Sequence, residues 1–149
     1  MKAAVFTLNT EAYANKEEGT TGNAVKEFLQ NQGHTVIAGT LPEDLNIIKT
    51  VVTKLTDAKS VDLILTVGST YACGIGAGPE IVEELCDVKV PGIAEALRFT
   101  VADIDRSIIL ERGKAGICNG VVIVNLADKE KAAVEGLGFV FKEIQKLVK

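Results

Sequence analysis

Residues 62–79 read DLILTVGSTYACGIGAGP and contain, in order, an apolar run, a glycine-rich loop and a proline. The run at 62–67 is typical of a strand that is covered on both faces. The loop at 68–78 ends in alternating glycines, which accept the positive φ angles expected there. Pro79 stands where the first turn of a helix favours proline. The stretch therefore predicts a strand, a loop and a helix, which form the repeating unit of a parallel sheet.

The rest of the chain repeats this alternation. Apolar runs and the turn signal Asn119-Gly120 predict strands at 2–8, 35–41, 115–118 and 121–126, the last two forming a hairpin. Helical spacing predicts helices from 20 or 21 to Gly33 and at 45–59, 79–86 and 129–148, with a loop at 9–19 and no clear element at 101–110. No linker or repeat divides the sequence. We expect one domain, 1–149, of the α/β class, a three-layer α/β/α sandwich with a mostly parallel central sheet.

The composition excludes several classes of protein. The 149 residues carry 16 basic and 20 acidic side chains, and neither sign forms a long block, which argues against a nucleic-acid partner. Every apolar run is far shorter than the roughly 20 residues that span a bilayer. Three scattered cysteines and a single histidine, His34, predict neither a disulfide framework nor a zinc site nor a histidine-based triad. We expect a cytoplasmic protein with no membrane partner.

Four loops follow the carboxyl ends of the predicted parallel strands. In sheets of this kind, ligands bind at the edge where the strands end. The loops are at 9–21, 41–44, 68–78 and 125–130. We expect them to meet and to form a shared cleft.

The alternating glycines Gly74, Gly76 and Gly78 precede a predicted helix. Their N–H groups and the helix dipole suit a phosphate or carboxylate. Against this, three glutamates occupy the first turns of that helix and the loop contains no lysine or arginine. The pattern alone favours a structural turn over an anion site.

Charged residues near these loops allow two interpretations. Glu43 and Asp44 either begin a helix, where acids are favoured, or hold a magnesium ion together with a nucleotide phosphate. Arg98, Arg106 and Arg112 follow the glycine loop in sequence, and solvent exposure is the ordinary interpretation of such arginines.

Several motifs together resemble one family. DLILTVGST at 62–70, Gly78-Pro79-Glu80, PGIAEALR at 91–98 and ILERGKAGICNGVVIVNL at 109–126 match, in order and spacing, the MoaB/Mog domain of molybdenum-cofactor biosynthesis. This resemblance implies a usually trimeric three-layer α/β protein that binds molybdopterin. Family enzymes transfer AMP from ATP to the terminal phosphate of the pterin with Mg²⁺. Molybdopterin, ATP and magnesium are thus expected as ligands or substrates, with no tightly bound cofactor and no resident metal site.

The resemblance also implies site residues. The expected catalytic residues are Glu43, Asp44 and Glu80. The expected ligand-binding residues are Gly68, Ser69, Thr70, Gly74, Gly76, Gly78, Glu95, Arg112 and Asn125. For the homotrimer, the apolar residues Ile104, Ile108, Ile109 and Leu110 are interface candidates.

The chain also departs from the family pattern. Gly76 and Gly19 replace acidic residues, Ser69 and Tyr71 replace glycines, and the turn at 127–130 contains two acids in place of Pro-Gly-Ser-Pro. The side chain of Tyr71 occupies space through which a phosphate would approach, and the two acids repel a phosphate. Three hypotheses remain: an active or weakly active molybdopterin adenylyltransferase in which Glu80 replaces the missing acid, a trimeric binding or scaffold protein that does not turn over ATP, and an unrelated anion or nucleotide binder.

Overall fold

The computed structural model of the protein describes residues 1–72 and 76–148. Six strands, six α-helices and one 3₁₀ helix are assigned within these residues. In chain order they are β1 (Lys2–Leu8), α1 (Thr10–Ala14), α2 (Thr20–Asn31), β2 (Thr35–Leu41), α3 (Leu45–Ala58), β3 (Leu63–Val67), α4 (Gly78–Leu85), β4 (Val88–Lys89), α5 (Pro91–Phe99), the 3₁₀ helix (Arg106–Leu110), β5 (Ala115–Cys118), β6 (Val121–Leu126) and α6 (Glu130–Leu147).

One mixed sheet forms the centre of the protein. The strand order is β2-β1-β3-β6-β5-β4. The first four of these strands are parallel, whereas β5 is antiparallel to both β6 and β4. The predicted α/β/α sandwich with a mostly parallel sheet is confirmed.

Alternating side chains of the strands form two cores, one on each face of the sheet. Along β1, Ala3 and Val5 contribute to the core that contains residues of α2, α5 and α6. Ala4, Phe6 and Leu8 contribute to the core that contains residues of α3 and α4. Because both faces are covered, apolar residues occur at successive positions along β1.

The register places three strand ends side by side. Thr7 of β1 pairs with Val67 of β3, and Val67 pairs with Leu126 of β6. The loops that follow these strands therefore leave the same edge, and the Gly68 N–H donates to the Leu126 carbonyl at 2.8 Å. At the far side of β1, the Asn9 N–H donates to the Leu41 carbonyl at 2.9 Å. The strand ends therefore share one edge, as predicted, whereas the cleft described below is lined by only two of the four loops, those at 68–78 and 125–130.

Besides α5, for which no element was predicted, three short elements differ from the sequence prediction. The loop at 9–19 contains α1, which begins where the Asn9 side chain accepts from the Ala12 N–H. The segment at 101–110 contains turns and a 3₁₀ helix whose first turn is capped by Asp105. The two residues of β4 were not expected. Each element is too short for apolar periodicity to reveal it.

The prediction that Ile108 lies at a subunit interface is wrong. Its side chain is 5% exposed and belongs to a small core with Val101 and Ala132. Ile109 and Leu110 are instead 61% and 63% exposed. Among residues 1–72 and 76–148, no helix combines the length and the apolar composition needed to cross a bilayer.

Candidate functional site

A cleft of about 130 Å³ lies beyond the carboxyl ends of β3 and β6. We call it the β3 cleft. It is lined by Gly68, Ser69, Thr70, Tyr71, Glu111, Asp128 and Lys129. The predicted ligand loop at 68–78 contributes Gly68, Ser69 and Thr70. The expected site residues did not include Glu111 or Lys129. Tyr71 is 55% exposed and lines the cleft, as expected from its position.

Gly68 and Ser69 turn the chain sharply after β3. Both have positive φ angles, +89° for Gly68 and +58° for Ser69. A β-carbon at Gly68 would lie 3.2 Å from the Leu8 carbonyl oxygen, so glycine is suited to this position by both backbone angle and space. Ser69 adopts the left-handed conformation although it carries a side chain, which is uncommon.

Ser69 joins the cleft to the start of α4. Its hydroxyl donates to Glu43 Oε2 at 3.0 Å and accepts from the Ala77 N–H at 2.7 Å. Its carbonyl oxygen accepts from the Gly78 N–H at 3.0 Å. The N–H groups of Ala77 and Gly78 therefore bind Ser69, which supports the structural interpretation of the glycine loop. Gly74 and Cys73 lie outside the described residues.

Gly76 and Gly78 permit a close approach of the loop to Ser69. A β-carbon at Gly76 would lie 2.8 Å from the Ser69 carbonyl oxygen and 3.2 Å from an Arg112 side-chain nitrogen. At Gly78 the distance to the Ser69 oxygen would be 3.1 Å. Gly78 has no positive φ, so there the close approach, and not the backbone angle, favours glycine.

Thr70 and Glu111 connect the floor of the cleft to the segment after the 3₁₀ helix. The Thr70 hydroxyl donates to Glu111 Oε2 at 2.6 Å, and the Thr70 carbonyl accepts from the Arg112 N–H at 2.8 Å. Thr70 is only 1% exposed. Glu111 precedes Arg112 in the motif at 109–126 that resembles the family. The sequence analysis did not select Glu111, although its place in this motif could have identified it.

Arg112 and Glu80 form a pair beside the cleft. Arg112 donates from Nε to the Tyr71 carbonyl at 2.6 Å, and one of its terminal nitrogens lies 3.3 Å from Glu80 Oε1. Both side chains are somewhat more than one-third exposed, so this ion pair contributes at most about 1 kcal/mol. Glu80 Oε2 is buried and has no hydrogen-bond partner among the described residues. The Glu80 carboxylate thus faces Arg112, and Glu80 is not part of the cleft lining.

Glu43 and Asp44 have separate roles. Asp44 Oδ1 accepts from the Asn46 and Ile47 N–H groups and caps α3. Glu43 instead directs its carboxylate to Ser69, as described above. The interpretation as the start of a helix therefore applies to Asp44. Of the two residues, Glu43 is the one that contacts the loop after β3.

Asn125 is buried within the sheet rather than displayed to the cleft. Its side-chain amide donates to Thr66 Oγ1 at 2.7 Å, and its side-chain oxygen accepts from the Lys114 N–H at 2.9 Å. These bonds join β6 to β3 and to the segment before β5. The geometry gives Asn125 a positioning role.

Two residues that the sequence singled out lie apart from the β3 cleft. Glu95 lines a second groove together with Lys89, Arg98 and Lys114. Gly19 lines a third, between α2 and β2, where a β-carbon would lie 2.9 Å from Thr7 Cγ2.

Arg98 is not simply a solvated surface arginine. It is half-buried and donates to the Gly113 carbonyl oxygen at 2.7 Å. This bond holds α5 against the segment that leads into β5. Sequence reasoning did not single out this role, because it depends on a contact between residues that are distant in the chain.

The charges around the cleft are mixed. Glu111 and Asp128 line it and Glu43 contacts its floor, whereas the cation in the lining is Lys129, whose Nζ lies 3.3 Å from Asp105 Oδ2. The hydrogen bonds from Ser107, followed by those from Lys129, hold the pKa of Asp105 below its usual value. In the described part of the chain, no three His, Cys, Asp or Glu side chains are grouped to hold a metal ion.

Comparisons with known proteins agree with this architecture. A family model described as a probable molybdopterin binding domain matches residues 4–146. The chain is 33% identical over 134 residues to a Helicobacter pylori protein named molybdopterin adenylyltransferase, which covers 85% of this chain and 74% of that protein.

Two solved structures share the fold over nearly the full length. One is the molybdopterin biosynthesis enzyme MoaB from Thermus thermophilus, with a TM-score of 0.86, 30% identity and coverage of 98% of this chain and 95% of the other. The second is a molybdopterin biosynthesis protein from Mycobacterium abscessus, with a TM-score of 0.88, 30% identity and coverage of 98% and 93%. Because the family model matches residues 4–146 and both solved structures match over nearly their full length, the chain belongs to the MoaB/Mog family of molybdenum-cofactor biosynthesis proteins.

Proposed function

We propose that this protein binds molybdopterin in the β3 cleft and transfers an adenylyl group from ATP to the terminal phosphate of the pterin. The observation that carries this proposal is the convergence of the loops after β1, β2, β3 and β6 at one edge of the sheet. Relatives named molybdopterin adenylyltransferase support the choice of ligand and reaction.

The reaction is an in-line displacement at the α-phosphorus of ATP. A terminal phosphate oxygen of the pterin forms the new P–O bond, and the bond to pyrophosphate breaks. Such transfers depend on positioning and on neutralising charge. In the β3 cleft, Lys129 supplies positive charge, and the bonds between Thr70, Glu111 and Arg112 fix the floor.

Glu43 is the residue that best fits a magnesium ligand. Its carboxylate reaches the loop after β3, and magnesium ions use one or two protein carboxylates together with substrate phosphates. When bound, magnesium neutralises charge on the phosphates. Asp44 is less suited, because its Oδ1 atom already caps α3.

A second function, pterin binding without ATP turnover, is favoured by a specific observation. Ser69 occupies the N–H groups of Ala77 and Gly78, and position 76, where the family pattern has an acidic residue, is glycine. Both features remove groups that would act on a nucleotide phosphate.

One experiment separates the two functions. Purified protein is titrated with molybdopterin, and ATP with magnesium is then added while adenylylated pterin and pyrophosphate are measured. Product formation supports the transferase, and tight pterin binding without product supports the second function. Absence of pterin binding contradicts both. Lys129→Ala should weaken pterin binding, whereas Lys131→Ala, an exposed lysine of α6 outside the cleft lining, serves as the matched control.

We also propose that the protein forms a homotrimer. Phe99, Ile109 and Phe139 border one exposed apolar groove, and Leu110 extends the apolar surface next to Ile109. Apolar patches of this kind mark subunit interfaces. We further propose a cytoplasmic location, supported by the free thiols of Cys86 and Cys118, since disulfides are rare in that compartment.

A further inference from the structure

Tyr71 places an exposed aromatic ring in the lining of the β3 cleft. It is 55% exposed, whereas Ser69 and Thr70, which precede it, are buried. Among the described residues of the lining, it is the one that carries a ring. The cleft, at about 130 Å³, is smaller than the roughly 300–1,000 Å³ of pockets that enclose a whole drug-sized ligand. It therefore suits one ring system of a ligand rather than a complete nucleotide.

The backbone that carries this ring is fixed at two carbonyl groups. The Thr70 carbonyl accepts from the Arg112 N–H at 2.8 Å, and the Tyr71 carbonyl accepts from Arg112 Nε at 2.6 Å. A tyrosine side chain has only two rotatable χ angles, so it loses little conformational entropy when a ligand packs against it. A fixed backbone and a short side chain lower the free-energy cost of binding.

The ring changes what the cleft accepts at position 71. The family pattern that this chain resembles has glycine there, and glycine has no side chain to offer. Tyr71 occupies space through which a phosphate would approach, but it also presents a flat apolar face. Aromatic faces of this kind stack on heteroaromatic rings. The side chain that hinders a phosphate therefore favours a planar ring.

The carboxylates beside Tyr71 favour a ring with N–H donors. Glu111 and Asp128 line the same cleft, and an ionised carboxylate only accepts hydrogen bonds. The bond from Thr70 to Glu111 Oε2 holds the Glu111 carboxylate in place and leaves it further lone pairs. A pterin ring carries an amino group next to a ring N–H, whereas the amino group of adenine lies next to ring nitrogens that are acceptors. One carboxylate therefore accepts two hydrogen bonds from pterin but one from adenine.

We infer that Tyr71 binds the pterin ring of the ligand by stacking, and that the Glu111 carboxylate gives this subsite its preference for pterin over adenine. Tyr71 supplies the apolar face, and Glu111 accepts from the amino group and the ring N–H. Asp128 adds negative charge that disfavours a phosphate in the same position. The inference rests on the proposed function, since it assigns the pterin of that reaction to the β3 cleft.

Proton NMR of the full chain tests the stacking directly, because the sequence contains two tyrosines and no tryptophan. The probe is 6-hydroxymethylpterin, which carries the ring without a phosphate. Stacked rings shift each other's proton resonances upfield, so those of the Tyr71 ring should move upfield as the probe is added. The resonances of Tyr13, which is 52% exposed on α1, should not move. Tyr13→Phe assigns the signals by leaving Tyr71 as the single tyrosine.

Substitution of Tyr71 measures what the ring contributes. Tyr71→Leu keeps an apolar side chain and should bind the probe at least about tenfold more weakly, whereas Tyr71→Phe keeps the ring and should retain most of the affinity. Tyr13→Leu makes the same change at a tyrosine of similar exposure outside the cleft lining and should bind like wild type. Because Tyr71 is exposed, its leucine variant should unfold at nearly the same temperature as wild type.

Adenosine tests the preference for pterin. Wild type should bind adenosine at least about tenfold more weakly than the pterin probe, because one hydrogen bond to a charged acceptor is lost. Glu111→Gln should narrow this difference, since an amide replaces one accepting oxygen with a donor. Glu135→Gln, at an exposed glutamate of α6 outside the lining, should leave the difference unchanged.

The inference is overturned if wild type binds no probe, if the Tyr71 resonances stay in place while it binds, or if Tyr71→Leu binds it as tightly as wild type. Equal affinities of wild type for adenosine and the pterin probe would overturn the role of Glu111. Failure of the proposed function has a different signature: the probe would still stack on Tyr71, but no adenylylated molybdopterin would form.

Discussion

The hydroxyl of Thr70 lies 2.6 Å from Glu111 Oε2, although the two residues are 41 positions apart in the chain. The bond is short because its acceptor is charged. It connects the loop after β3 to the segment that leads into β5 and closes one wall of the β3 cleft.

Replacement of Thr70 by valine should destabilise the protein. Valine has nearly the same shape but has no hydroxyl, so the half-buried Glu111 carboxylate loses its donor. We expect the free energy of unfolding in urea to fall by about 1–3 kcal/mol, whereas Thr70→Ser retains most of the stability. Equal stability of the valine and serine variants would contradict a structural role for this bond.

Gly76 and Gly92 provide a matched pair of alanine substitutions. A β-carbon at Gly76 meets the Ser69 carbonyl oxygen at 2.8 Å, whereas at Gly92, in α5, nothing lies within 4 Å. Gly76→Ala should lower the free energy of unfolding by about 1–3 kcal/mol through overpacking. Gly92→Ala should be neutral or stabilising by up to about 1 kcal/mol, because alanine favours helices. If urea unfolding showed a larger loss of stability for Gly92→Ala than for Gly76→Ala, the loop would have to relax away from Ser69.

Asn125 should be sensitive even to a nearly isosteric change. Asn125→Asp keeps the shape but replaces the donor to Thr66 Oγ1 with an acceptor and places a charge where the side chain is 3% exposed. We expect a loss of about 2–4 kcal/mol in the free energy of unfolding at neutral pH.

Asn46→Asp supplies the control for this change. Asn46 is exposed in the first turn of α3, where a negative charge is favourable. It should change stability by less than about 1 kcal/mol. Similar losses in both variants would mean that the buried amide does not stabilise the sheet.

The long elements could be predicted from sequence because their apolar residues are periodic or continuous over many positions. Strand β2 has the predicted bounds, and α6 differs from its prediction by one residue at each end. The position of the cleft also followed, since parallel strands bring their carboxyl ends to one edge.

The partners of individual side chains could not be predicted in the same way. The Thr70–Glu111 and Ser69–Glu43 bonds join residues 41 and 26 positions apart, and no local pattern encodes them. Asp44 illustrates the same limit, because one carboxylate suits both a helix cap and a metal ligand until its neighbours are known.

His34 should make stability depend on pH. Burial, followed by the charge of the amino terminus, lowers the pKa of His34 below its usual value of 6.5. The unfolded chain therefore binds this proton more readily, so the contribution is fully present above pH 6.5 and decreases as the pH falls through the folded-state pKa. Because His34 is the only histidine, NMR titration gives its pKa directly.

The variant His34→Gln provides the comparison. Between about pH 7.5 and pH 5.5, wild type should lose more stability in urea than this variant does, because glutamine does not titrate. A folded-state pKa above 6.5, or identical losses in the two proteins, would contradict the assignment.

Phe99 should control the oligomeric state. It is 87% exposed at the end of α5 and borders an apolar groove with Ile109 and Phe139. Burying a phenylalanine at an interface contributes about 1.5–3 kcal/mol, so Phe99→Glu should weaken subunit association at least about tenfold and shift the mass measured by light scattering towards that of a monomer. Tyr13→Glu changes another exposed aromatic residue, on α1, and should leave the mass unchanged. A monomeric wild-type protein, or a Phe99→Glu variant of unaltered mass, would show that this surface is not the interface between subunits.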